Sequence, residues 1–152
     1  MSSEWQGWEA CRTCRVAAYL NAPFDGDRVK DFWVLEAEEA LQVAEHLMEK
    51  GDYSYALFFG HLAVEKALKA LYAAKRHDHA PPIHNLMRLA KTAGLSLHEA
   101  QQEVLLAITA FSIEARYPDI NRSFRKRCTR EYSEGQMATI KEMYQWIRSQ
   151  LE

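Results

Sequence analysis

Between Asp52 and Arg76 the large apolar residues Tyr53, Leu57, Val64, Leu68 and Leu71 recur in steps of three, four or seven, a spacing that only a helix gathers on one face. Ala56, Phe59, Ala63, Ala67, Ala70 and Ala74 mark a second apolar face with the same period, and small residues there let neighbouring helices approach closely. A helix apolar on two faces sits between partners. At 1.5 Å per residue it runs roughly 37 Å, the length of a small bundle. The rest of the chain is expected to pack around it.

The flanking pattern supplies the partners. Val29, Trp33, Ala37, Ala40, Leu41, Ala44, Leu47 and Met48 predict an amphipathic helix over Arg28 to Lys50, ended by Gly51. Asp52 is placed to cap the central helix, and so short a turn makes the two helices antiparallel neighbours. Pro81-Pro82 is a hard stop. A short helix from about His84 to Ala93 follows, and a capping box, Ser96-x-x-Glu99, opens a helix carrying Ala100, Val104, Ile108 and Phe111 to about Arg116, just before Tyr117-Pro118. Asp119 to Tyr132 reads as a loop. A second box, Ser133-x-x-Gln136, starts a last helix with Met137, Ile140, Tyr144, Ile147 and Leu151 in register. The expected fold is all-α, an up-and-down four-helix bundle with one extra short helix, over residues 28–152. Residues 1–27 carry turn chemistry and no long periodic pattern, and read as an N-terminal extension, either mobile or draped over the domain through Trp5 and Trp8.

Composition narrows the class. A chain of 152 residues with 48% hydrophobic and 26% charged residues is an ordinary globular domain, large enough for a core without metal or disulfide staples. No apolar run approaches the roughly 20 residues that span a bilayer, and no basic region leads a long apolar stretch as in a secretory signal. The odd cysteine count (Cys11, Cys14, Cys128) fits a reducing cytoplasm.

Charge is unevenly placed. Between Glu114 and Arg130 six basic residues (Arg116, Arg122, Arg125, Lys126, Arg127, Arg130) face two acids, Glu114 and Asp119, in a chain of net charge −2. With Tyr117 and Phe124 interleaved, such a patch suits phosphates and a stacked base; the plainer reading is a solvated loop. Glu65 and Lys69 stand one turn apart on the central helix, either a surface ion pair or a lysine lining a groove. His77, His79 and His84 lack the further ligands a zinc site needs, and Cys11-x-x-Cys14 lacks a second pair. The sequence calls for no metal, no cofactor and no familiar catalytic constellation.

Three stretches together carry a resemblance: Gly51-Asp52-Tyr53 leading into His61-Leu-Ala-Val-Glu65-Lys66-Ala-Leu-Lys69-Ala, then Pro82-Ile-His84-Asn-Leu86-x-x-Leu89, then Ala115-Arg116-Tyr117-Pro118-Asp119. In this order and spacing, over about Arg28 to Leu151, the chain resembles the HEPN domain (higher eukaryotes and prokaryotes nucleotide-binding). The resemblance implies a helical bundle that forms a homodimer. It also implies, for prokaryotic members, a small nucleotidyltransferase partner, often in a toxin-antitoxin pair. Active members of the family are metal-independent ribonucleases with an Arg-x(4–6)-His motif, in which the histidine assists attack by the RNA 2′-OH and the arginine holds the phosphate.

Here the motif is broken. Four residues intervene between Arg116 and Asn121, which stands at the histidine position; Ser123 stands where a variant motif has tyrosine; no histidine follows His98. Asparagine exchanges hydrogen bonds but takes up no proton near neutral pH. The leading expectation is thus a non-catalytic module that binds a nucleotide or RNA phosphate and acts with a nucleotidyltransferase. Arg116 would be the phosphate contact, Tyr117 and Asp119 would shape the turn, Asn121 would lie on it, and Arg122 and Lys69 would add contacts. The alternatives are a ribonuclease whose base is displaced to His61 or His84, and a helical dimerisation scaffold.

Overall fold

A computed structural model describes residues 23–152 as six helices: α1 (Gly26–Lys50), α2 (Tyr53–Arg76), α3 (Leu86–Thr92), α4 (Glu99–Arg116), α5 (Ser123–Arg127) and α6 (Arg130–Ser149). The four long helices form the bundle, α2 packs against all five others, and there is no strand among the described residues. Both apolar faces of α2 are used. Leu57, Val64, Leu68 and Leu71 are sealed from solvent, and so are Ala56, Ala63, Ala67 and Ala70. Ala37, Ala40 and Ala44 of α1 are buried in the same core, so α1 and α2 meet through small side chains that let the backbones draw close. On the α6 side Gly60 has the same effect: a Cβ there would lie 2.8 Å from Ile140 Cδ1.

The helix ends show which local signals the chain uses. Gly51 takes the left-handed conformation (φ 81°) and its N–H returns to the Leu47 and Met48 carbonyls. Asp52 stands at the cap position of α2 without making a side-chain cap bond. That helix stops at Arg76 because His77 turns left-handed (φ 52°), before the prolines are reached. Asp25 caps α1, which therefore begins two residues earlier than the periodicity predicts and takes Gly26 and Asp27 out of the supposed extension. Residues 1–22 of that extension, with Trp5, Trp8, Cys11 and Cys14, lie outside the described residues.

Both predicted capping boxes are displaced. Helix α4 is capped by His98, whose ring accepts from Gln101 N–H while the Gln101 side chain accepts from His98 N–H. This is the same reciprocal exchange two residues on from Ser96. Helix α6 starts after Thr129, whose hydroxyl accepts from Tyr132 N–H, and Ser133 is fully buried inside the helix. The stretch expected to be a loop holds α5, so two short helices accompany the four long ones. Phe124 of α5 drives this, stacking on Phe111 with ring centroids 6.0 Å apart and burying itself in the core.

Candidate functional site

Two groups of polar side chains stand out, and they are built differently. The first lies along α2. Glu65 is only 3% exposed. Its carboxylate accepts from Lys69 Nζ at 2.8 Å and from His84 Nδ1 at 3.2 and 3.3 Å. Burial alone would raise the Glu65 carboxyl, but the Lys69 hydrogen bond and charge, with His84 and His61 behind them, hold it below the usual carboxylate range. The Glu65–Lys69 pair, for which a surface ion pair is one of the two expectations from sequence, is an internal clamp. It fixes the loop before α3 to the central helix, since His61 Nε2 also donates to the His84 carbonyl at 3.1 Å.

That last bond sets the His61 tautomer. With Nε2 carrying the proton, the neutral ring leaves Nδ1 bare, fully buried, without a partner and 3.9 Å from Glu65 Oε2. Burial pushes the imidazole below its ordinary value, Glu65 and the hydrogen bond to the His84 carbonyl pull it upward, and the positive charge of Arg116 pushes it down again. Among the described residues no group of histidine, cysteine, aspartate or glutamate is arranged to hold a metal ion.

The second group is the turn between α4 and α5. Arg116 ends α4 with its guanidinium over the Phe58 ring, 5.3 Å from the centroid. Tyr117 is 78% exposed and Ile120 is 97% exposed, apolar surface held out into solvent. Asp119 stands before the α5 cap residue Arg122 and accepts from Ser123 N–H at 2.7 Å and from the Ser123 hydroxyl at 2.5 Å. These bonds hold its carboxyl below the usual range. Arg122 takes a left-handed conformation (φ 55°), a strained one for a side chain of its kind. Asn121 is exposed beside it.

The turn thus gathers Arg116, Tyr117, Asp119, Asn121 and Arg122. Lys69 is not with them: its ammonium is held by Glu65 and lies 4.9 Å from the centre of the Trp33 ring. Arg127 and Arg130 are also engaged, by Glu114 at 2.7 Å and Glu134 at 2.8 Å. Arg116, Arg122, Arg125 and Lys126 make no salt bridge among the described residues. A groove of about 960 Å³ between α1 and α6 includes none of these cations; Asp31, Glu38, Glu39 and Glu45 outnumber Lys30 and Arg148 in its lining, an excess of acid that disfavours phosphate. The clamp was the part that sequence reasoning missed. Its one signal is a glutamate beside Val64 and Ala67 on an inward-facing stretch of α2.

Comparison with known families and structures agrees with this architecture. The HEPN domain family matches over residues 31–150. The chain belongs to the HEPN domain family. Its fold is similar to that of TT1696 from Thermus thermophilus, with 23% identity, a TM-score of 0.68, and 80% of this chain and 97% of that one covered. It is also similar to ST0689, an archaeal HEPN homologue, with 20% identity, a TM-score of 0.65, and 81% and 98% covered. No curated protein matches the chain. Among the described residues no helix is long and apolar enough to cross a membrane.

Proposed function

We propose that this HEPN domain is a module that binds the phosphate of a nucleotide or RNA at the α4–α5 turn. The observation that carries this is the set of four cations, Arg116, Arg122, Arg125 and Lys126, that form no salt bridge among the described residues, although Asp119 feels the charge of Lys126, in a chain that pairs the neighbouring Arg127 and Arg130. Cations gathered at one strained turn and the short helix after it suit an anion brought from outside. Arg116 is the principal phosphate contact, Arg122 adds a second, Asn121 offers a neutral hydrogen bond, and Tyr117 and Asp119 shape the turn. Asn121 cannot take up a proton, so the turn binds and does not cleave.

The partner reading follows the family resemblance: a homodimer acting with a small nucleotidyltransferase, in a toxin-antitoxin pair, in the cytoplasm. Leu106, Ile113 and Tyr117, exposed at helical spacing along α4 and its end, support a protein contact there. A second reading, a ribonuclease with a displaced base, has one observation behind it. Glu65 accepts from His84 Nδ1, which leaves Nε2 of a ring whose side chain is 57% exposed free to accept a proton.

Labelled single-stranded RNA incubated with the protein in chelator, beside Arg116→Ala, separates these readings. Salt-sensitive binding that weakens about tenfold or more in the variant is the expected result. Cleavage lost in His84→Gln would favour the ribonuclease, and no binding at low salt would leave the scaffold reading.

A further inference from the structure

A cavity of about 270 Å³ opens beside the same turn, between the first turn of α2, the end of α4 and α5. Ser54, Tyr55, Pro118 and Phe124 line it, together with Arg122 and Arg125. Ser54 is only 9% exposed and makes no side-chain hydrogen bond among the described residues, yet its hydroxyl is not sealed off as the buried, unpaired His61 Nδ1 and Ser133 Oγ are. Lining the cavity, that hydroxyl is open to exchange a hydrogen bond with water or with a ligand.

Two carboxylates also line the space, Glu114 and Asp119. Both are already committed, to Arg127 and to Ser123. Even so, they would repel a phosphate placed inside. A neutral, planar, partly polar ring meets no such penalty and can offer amino groups to them. The volume lies just under the roughly 300 Å³ at which pockets begin to take whole small molecules, so one ring system fits and a complete nucleotide does not. Tyr55, 50% exposed, presents an aromatic side chain at the cavity wall on which a base can stack.

Resting on the phosphate-binding reading of the turn, the geometry points to a nucleobase pocket. The base of a nucleotide enters between Tyr55 and Pro118 and meets the Ser54 hydroxyl, while its phosphate stays outside on Arg122, Arg125 and Arg116. The left-handed Arg122 is part of this: its conformation lets one short turn both line the pocket and carry the cations.

The test is titration calorimetry of the full chain with AMP, CMP, GMP and UMP beside ribose 5-phosphate, which has the phosphate and no base. At least one nucleotide is expected to bind tenfold or more tightly than ribose 5-phosphate. Tyr55→Ala should abolish that margin and leave ribose 5-phosphate affinity unchanged, Tyr55→Phe should keep it, and Ser54→Ala should shrink it unequally among the four bases. Equal affinity for the nucleotides and ribose 5-phosphate, or a margin that survives Tyr55→Ala, overturns the pocket. Arg116→Ala reports on the other reading separately: it should weaken both kinds of probe alike, and a nucleotide margin that stands while neither probe responds would remove Arg116 as the phosphate contact and keep the pocket.

Discussion

The clamp on α2 and the turn after α4 handle charge in opposite ways. At the clamp a buried carboxylate has Lys69 and His84 within hydrogen-bonding distance, and only the bare nitrogen of His61 is left over. At the turn and in α5 four cations form no salt bridge among the described residues, and apolar side chains stand in water beside them. Charge that is matched inside holds the fold together, because an unpaired ion there would cost several kcal/mol. Charge left unmatched on an exposed, strained turn contributes nothing to folding and is available to a ligand.

Breaking the clamp should have the largest effect. Glu65→Ala strands the Lys69 ammonium and frees the loop before α3, and is expected to cost about 3 kcal/mol of stability by urea unfolding, the low end for a buried pair because Lys69 and His84 reach solvent. A loss below about 1 kcal/mol would mean that the clamp is not a structural element. Arg116→Ala is the mirror experiment. Arg116 forms no salt bridge among the described residues, lies over the Phe58 ring and acts on His61 only through its charge, so stability should change by about 1 kcal/mol or less while phosphate binding drops about tenfold or more. Equal losses of stability and binding in either variant would erase the distinction between the two regions.

The pH dependence tests the clamp from another side. Both His61 and Glu65 have folded values below their ordinary ones, 6.5 and 4.5, so each contributes stability that is complete above that value and is lost as pH falls through the folded value. Unfolding free energy should therefore decline in two stages, the first starting near pH 6.5, and His61→Gln should remove that first stage. The smallest effect is expected where the regions are most alike. Glu114→Gln frees Arg127 from a half-exposed pair, costing less than about 1 kcal/mol and adding a cation to the turn, which should strengthen RNA binding slightly in a filter assay.

The long helices were legible in the sequence because the signal is repeated: the two faces of α2 are written over its whole length, and no single residue decides them. The turn was legible because a cluster of like charge and the Tyr117-Pro118 break are local facts. The capping boxes were placed two to four residues away from the caps used, since Ser96 and Ser133 have the right chemistry but His98 and Thr129 have the right positions once the core has set each helix in place. The sequence leaves the Glu65–Lys69 pair open between a surface ion pair and a lysine lining a groove for a related reason: the two are neighbours in any helix, and only the loop that carries His84 across them makes the site internal.

What the sequence determined by itself is what local periodicity and composition carry: an all-helical bundle around α2, a helix end at Arg116, and a basic stretch after it. What the tertiary structure decided is which charges meet. It committed Lys69 to Glu65, left Arg116 and Arg122 without a salt bridge among the described residues, and folded Phe124 under the turn so that Ser54 and Tyr55, far earlier in the chain, line a cavity beside it. Pairing and enclosure depend on distance in space, and residues far apart in the chain acquire those distances only when the core closes.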